Sequence, residues 1–127
     1  MTSNPQFLLY RRYSISLVHQ IPVEFVGDGC SHWHGHDFKF EVVISGLPDT
    51  KSGQILSTRS IDEIVERTIL KPYTSQPLPQ LQEKMTGESI AAEFFNRLRA
   101  SEAFGDKVVA LQMVETRKNR FQVLAPF

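Results

Sequence analysis

The chain has 127 residues, of which 41% are apolar and 22% charged, with 14 basic and 14 acidic side chains. That length and balance fit a single globular domain over 1–127 and exclude a disordered or fibrous chain. Zero net charge removes the long-range attraction expected of a nucleic-acid binder or a protein of anionic membrane surfaces.

Phe7 to His19, rich in Tyr, Ile, Leu and Val with an alternation that Val18 breaks, predicts a long first strand. Gln20 to Gly29, with Pro22, Gly27 and Gly29, reads as a loop. A second strand is predicted from about His34 to Ser45, where Phe38, Phe40, Val42 and Ile44 alternate with mostly polar positions. Pro48, Asp49, Lys51 and Gly53 mark a turn-rich connection. Ser60 and Glu63 fit a capping box opening a first helix, with Ile61, Ile64, Val65 and Ile69 as its apolar stripe and Pro72 as its stop. From Lys71 to Lys84 the composition suggests an irregular loop. Thr86 is the expected N-cap of a second helix that buries Ile90, Phe94 and Leu98, widened by Ala91 and Phe95. Gly105 breaks the chain, and strands follow over Val108 to Glu115 and Arg120 to Leu124, joined by a hairpin at Arg117-Lys118-Asn119. The order β-β-α-α-β-β implies an α+β domain: a four-stranded antiparallel sheet with both helices on one face.

The chemistry concentrates in Cys30-Ser31-His32-Trp33-His34-Gly35-His36. This run holds the only cysteine and every histidine except His19. In an extended chain His34 and His36 share a face. Neutral imidazoles suit zinc, which usually takes four donors, so this pair supplies half a site and His19 is the histidine outside the run. The bland alternative is a histidine pair satisfied by backbone groups; a structural zinc module would need Cys30 or His32 as a further ligand. Arg11 with Arg12, and Arg117 with Lys118 and Arg120, are candidate phosphate contacts, or simply solvated strand ends and turns.

Cys30 followed by His34-Gly35-His36, His19 upstream, Thr86-Gly87-Glu88 at the second helix start and Glu115-Thr116 after the third strand together resemble the 6-pyruvoyltetrahydropterin synthase family. That family includes the 6-carboxytetrahydropterin synthases of queuosine biosynthesis. The resemblance implies a tunnelling fold in which three subunits close a twelve-stranded barrel and two trimers stack into a hexamer, with active sites between subunits. It implies His19, His34 and His36 as ligands of Zn2+, and Cys30 as the base that moves protons on the pterin side chain. It also implies Glu115 as anchor of the pterin ring, with Thr86, Glu88 and Thr116 around it. The expected reaction is a zinc-dependent lyase step on 7,8-dihydroneopterin triphosphate or a related pterin.

Competent members of the family carry an Asp-His pair in the loop after the first helix. Here Leu70 to Leu78 holds neither residue, and no histidine follows His36. His32 is a candidate substitute in the proton relay, and Glu83 is another. The alternative expectation is a family member that binds zinc and a pterin without ordinary turnover.

One cysteine precludes an internal disulfide and fits a reducing compartment. No apolar run approaches the roughly 18 residues needed to span a bilayer. The first residues lack a signal-peptide pattern, so a cytoplasmic location is the default expectation.

Overall fold

The computed structural model describes residues 6–19, 34–74 and 86–126, and of 18–19 and 34–36 the backbone alone. Its strands are β1 (Phe7–His19), β2 (His34–Gly46), β3 (Val108–Val114) and β4 (Arg120–Leu124), in the simple antiparallel order β1-β2-β3-β4. The helical segments α1 (Thr58–Val65), α2 (Lys71–Thr74) and α3 (Gly87–Arg99) lie in sequence between β2 and β3.

Alternation decides which face of the sheet is covered. Ile15 and Leu17 of β1, and Phe38, Phe40, Val42 and Ile44 of β2, are buried beneath the helices, as are Val108, Leu111 and Met113 of β3. Val108 and Leu111 are three positions apart, which a strict period of two would place on opposite faces. A register shift between Val43 and Ile44 against β3 absorbs the extra residue and returns both to the core. Ile61, Ile64 and Val65 of α1, and Ile90, Ala91, Phe94, Phe95 and Leu98 of α3, complete this core. Among the described residues the opposite face carries both buried and exposed apolar side chains. Leu8, Tyr10 and Leu124 are exposed there and, with Val43 and Ala110, line a depression of about 300 Å³.

Two local expectations fail for identifiable reasons. The first helix is capped by Ser57, whose hydroxyl accepts from the Ser60 N–H at 3.4 Å, rather than by Ser60 itself. Starting one turn earlier leaves Glu63 to pair with Arg59 at 3.3 Å. Nor does Pro72 stop the chain from being helical. After α1 a π-helical turn runs over Glu66–Leu70, and the Lys71 N–H reaches back five residues to the Glu66 carbonyl. That wider turn leads directly into α2, which contains Pro72. The Thr68 hydroxyl donates to the Ile64 carbonyl at 2.7 Å within the same stretch.

A polar tie joins β1 to α1. The Arg11 guanidinium donates to both Asp62 carboxylate oxygens, at 2.9 and 2.7 Å, and the Tyr13 hydroxyl adds a third bond at 2.7 Å. These bonds, Arg11 first and then Tyr13, hold the Asp62 carboxyl below the usual carboxylate range. A depressed carboxylate contributes stability above its unfolded pKa of about 4 and loses it as pH falls through the folded value. The side chains of Arg11 and Asp62 are 39% and 43% exposed, so water screens the pair and the gain is modest. Asp62→Asn is therefore expected to lower the melting temperature by roughly 2–4 °C at pH 7. Melting curves from pH 7 to pH 3 should show the difference from the parent closing below about pH 4. A constant gap across that range would contradict this account.

Candidate functional site

Strand register gathers the positions of His19, His34 and His36 and the end of β3 at one end of the sheet. β1 and β2 pair from Phe7 with Gly46 through to His19 with His34, and His36 stands opposite Leu17. Leu17 belongs to the helix-covered face. Directly opposed positions share a face and faces repeat every second residue, so positions 19, 34 and 36 belong to that face too. β3 runs antiparallel to β2 with Val114 opposite Lys39, which brings the end of β3 to the same end of the sheet.

Glu115 follows immediately and is half-buried. Its backbone N–H donates to the Asn119 carbonyl at 3.1 Å, closing the β3–β4 hairpin beside it. The Glu115 side chain meets the start of α3. Its carboxyl carbon lies 3.3 Å from the point that a Cβ on Gly87 would occupy, and the ring of Phe121 crowds the same point, with Cζ at 3.0 Å. A glycine at the first position of α3 thus allows a strand-end carboxylate and an aromatic ring to close onto the helix backbone.

Thr86 builds this helix start. Its hydroxyl accepts from the Ser89 N–H at 3.2 Å and contacts the Ser89 hydroxyl at 3.2 Å, while that hydroxyl donates to the Thr86 carbonyl at 3.0 Å. Glu88 sits in the first helical turn and is exposed, where a carboxylate suits the positive end of the helix dipole. Thr116 is exposed at the hairpin, and its hydroxyl accepts from the Lys118 and Asn119 N–H groups at 3.2 and 3.1 Å. That hydroxyl shapes the turn carrying Glu115. Cys30 and His32 lie outside the described residues, as do the side chains of His19, His34 and His36. Among the described residues no three His, Cys, Asp or Glu side chains converge on a common point.

Both arginines of the first strand lie beside carboxylates. Arg11 is held by Asp62, and Arg12 lies 3.7 Å from Glu41. Arg117, Lys118 and Arg120 are exposed at the hairpin tip.

A family model described as 6-pyruvoyl tetrahydropterin synthase matches residues 8–125. The chain belongs to that family. The 6-pyruvoyl tetrahydrobiopterin synthase of Drosophila melanogaster is 23% identical over 142 aligned positions, which cover all of this chain and 84% of that protein. The Caenorhabditis elegans 6-pyruvoyl tetrahydropterin synthase superposes with a TM-score of 0.83 at 22% identity, over 99% of this chain and 100% of that one. The Plasmodium vivax 6-pyruvoyltetrahydropterin synthase gives 0.64 at 10% identity, over 98% and 100%. At these identities the structural likeness speaks for the fold: the α+β sheet and helices of the pterin synthase family, as the motifs implied.

Within that family fold, sequence reasoning missed Gly87 and Phe121. Gly87 lies between the two other residues of its motif, and Phe121 falls inside the fourth strand with nothing in its local sequence to mark it. A signal was present in that glycine is a poor residue inside a helix, and one at its first position asks what comes close.

Proposed function

We propose that this chain binds a pterin at the sheet end formed by His19, His34, His36, Glu115 and the start of α3, and acts there as a zinc-dependent lyase. The substrate would be 7,8-dihydroneopterin triphosphate or a close relative. The observation that carries the reading is the convergence of Glu115 with the Thr86-Gly87-Glu88 turn, at the end of the sheet where the histidine positions meet. Family membership over residues 8–125 supports a pterin-related activity.

The donor set fits zinc. His19 and its cross-strand partner His34, with His36 two positions further along β2, would be the ligands, neutral imidazole being a usual zinc donor. Three protein ligands leave a corner open, as a catalytic site requires. When bound, zinc supplies Lewis-acid stabilisation of negative charge developing on the substrate side chain.

The remaining work falls to the chain's own groups. The Glu115 carboxylate accepts hydrogen bonds from the N–H edge of the pterin ring and so fixes its orientation; such charge-assisted bonds are roughly twice as strong as neutral ones. Thr86 and Thr116 hold the helix start and the hairpin on either side of it. Cys30 takes a proton from the substrate side chain at its Sγ, and His32 relays it. Exposed Leu8, Tyr10 and Leu124 on the uncovered face favour association of copies into the family's barrel and a hexamer of two trimers.

A second reading has its own support. The Asp-His pair of competent members belongs after the first helix, and here Lys71–Thr74 is a helical turn whose Tyr73 is buried and donates to Glu93 at 3.1 Å. That stretch serves the core, which favours a member that binds zinc and a pterin without ordinary turnover.

Metal analysis of the purified protein is expected to give about one zinc per chain, falling to background in His19→Ala. Incubating the zinc-loaded protein with dihydroneopterin triphosphate then separates the readings. Turnover lost in Cys30→Ala supports the lyase, and pterin binding without turnover supports the second reading. Full zinc content in His19→Ala would overturn the ligand set.

A further inference from the structure

The start of α3 is packed in a way that bears on how Glu115 is held. Gly87 is buried, and a Cβ added to it would run into the Phe121 ring and approach the Glu115 carboxyl carbon at 3.3 Å. No side chain fits there without displacing one of the two. Phe121 sits on β4 opposite Met113, on the face packed against the core, and is itself half-buried. Glu115 leaves the neighbouring strand, and the hairpin between them is closed by Asn119 and Thr116. Helix start, ring and carboxylate therefore meet at one point fixed by three separate elements.

We infer that Phe121 is a positioning residue for pterin recognition: by filling the space left by Gly87 it holds the Glu115 carboxylate against the first turn of α3. This rests on the reading of Glu115 as the pterin anchor and adds the device that orients it. A carboxylate recognises the paired N–H donors of a pterin only while its two oxygens keep their direction, because hydrogen bonds weaken steeply off-axis. A flat ring on one side confines it without competing for its lone pairs. Enlarging residue 87 pushes the ring and the carboxylate apart, and removing the ring takes away the packing on that side of the carboxylate.

The readout is selectivity, which a merely structural role would not move. Neopterin carries a 2-amino donor, whereas the lumazine bearing the same trihydroxypropyl side chain has an oxygen at that position. The full chain should prefer the pterin in fluorescence titrations. Gly87→Ala is expected to raise the dissociation constant for neopterin about tenfold or more and to bring the neopterin-to-lumazine ratio close to one. Phe121→Val in the Gly87→Ala background should make room for the methyl group and recover affinity to within about threefold of Phe121→Val alone. Phe121→Leu by itself keeps the core filled, guards against a Gly87→Ala protein that does not fold, and should lower the ratio several-fold at nearly unchanged melting temperature.

If Glu115→Gln weakens neopterin binding while Gly87→Ala or Phe121→Leu leaves both affinity and selectivity unchanged, the positioning role is wrong and the pterin reading stands. If Glu115→Gln itself has no effect, the anchor reading falls and the inference falls with it.

Discussion

Phe94→Ala is expected to lower the unfolding free energy by about 3–5 kcal/mol, a large share of the roughly 5–15 kcal/mol typical of a whole domain. Phe94 is fully buried. Its ring centroid lies 5.4 Å from that of Phe40 on β2 and 5.1 Å from that of Tyr73 on α2, both tilted, while Tyr13 of β1 stacks on Phe40 at 5.4 Å. Phe94 is thus the link through which α3 grips the sheet and the end of the first helical arm together. Truncation removes the transfer free energy of the ring and leaves a cavity that these partners, anchored on separate elements, cannot collapse to fill. It also forfeits tilted ring contacts worth about 0.5–1.5 kcal/mol each beyond their area. Denaturant melts at fixed protein concentration should show a lower midpoint with an unchanged slope. A loss below about 1 kcal/mol would mean that the aromatic chain is not the centre of this core.

Tyr73 shows why such a junction needs its polar edge settled as well. Its hydroxyl donates to Glu93, and Arg97 bonds the same carboxylate at 3.0 Å while its guanidinium lies 5.0 Å from the Tyr73 ring centre. Burial, and then the neighbouring Glu93 charge, push the phenol well above its ordinary value, so it stays protonated and can keep donating. A buried hydroxyl without a partner would cost more than the hydrogen bond contributes, which is why this tyrosine and Glu93 face each other across two helices.

What could be read from the residues, and what could not, divides by distance along the chain. β1 reads from Phe7 to His19 because its alternation reports a local geometry, and α3 reads from Thr86 because the cap and the stripe of Ile90, Phe94 and Leu98 lie within a few turns. The first helix was harder. Ser57 and Ser60 both suit a cap, and only packing selects the earlier one, since Thr58 and Arg59 carry no apolar signal. Pro72 announces a break on local grounds, yet one widened turn over Glu66–Leu70 leads into the helical turn that contains it, and no periodicity encodes that. The meeting of Gly87 with Phe121 and Glu115 was out of reach for the same kind of reason. The three residues lie on different elements far apart in sequence, and their contact exists only after α3 docks on the β3–β4 hairpin. Thr86-Gly87-Glu88 and Glu115-Thr116 could be identified as motifs, but the packing that brings Gly87 beside Glu115 could not.

Glu115→Gln is the substitution expected to do most to ligand binding while doing least to the fold. The carboxylate is half-buried at a strand end, so replacing it with an amide of the same shape should leave the melting temperature within a few degrees of the parent. Its effect on a pterin is different in kind. A carboxylate is acceptor-only, which matches an edge made of N–H donors, whereas an amide turns one acceptor into a donor and sets it against a donor of the ligand. Hydrogen bonds to a charged group contribute about 1.5–3 kcal/mol, and each 1.4 kcal/mol is a factor of ten in affinity. Losing one such bond therefore predicts roughly 10–100-fold weaker neopterin binding, measured by fluorescence titration at constant pH and salt. Lumazine, with fewer donors along that edge, should lose less. A change of twofold or smaller for neopterin would show that the carboxylate beside Gly87 serves the hairpin and helix start rather than the ligand.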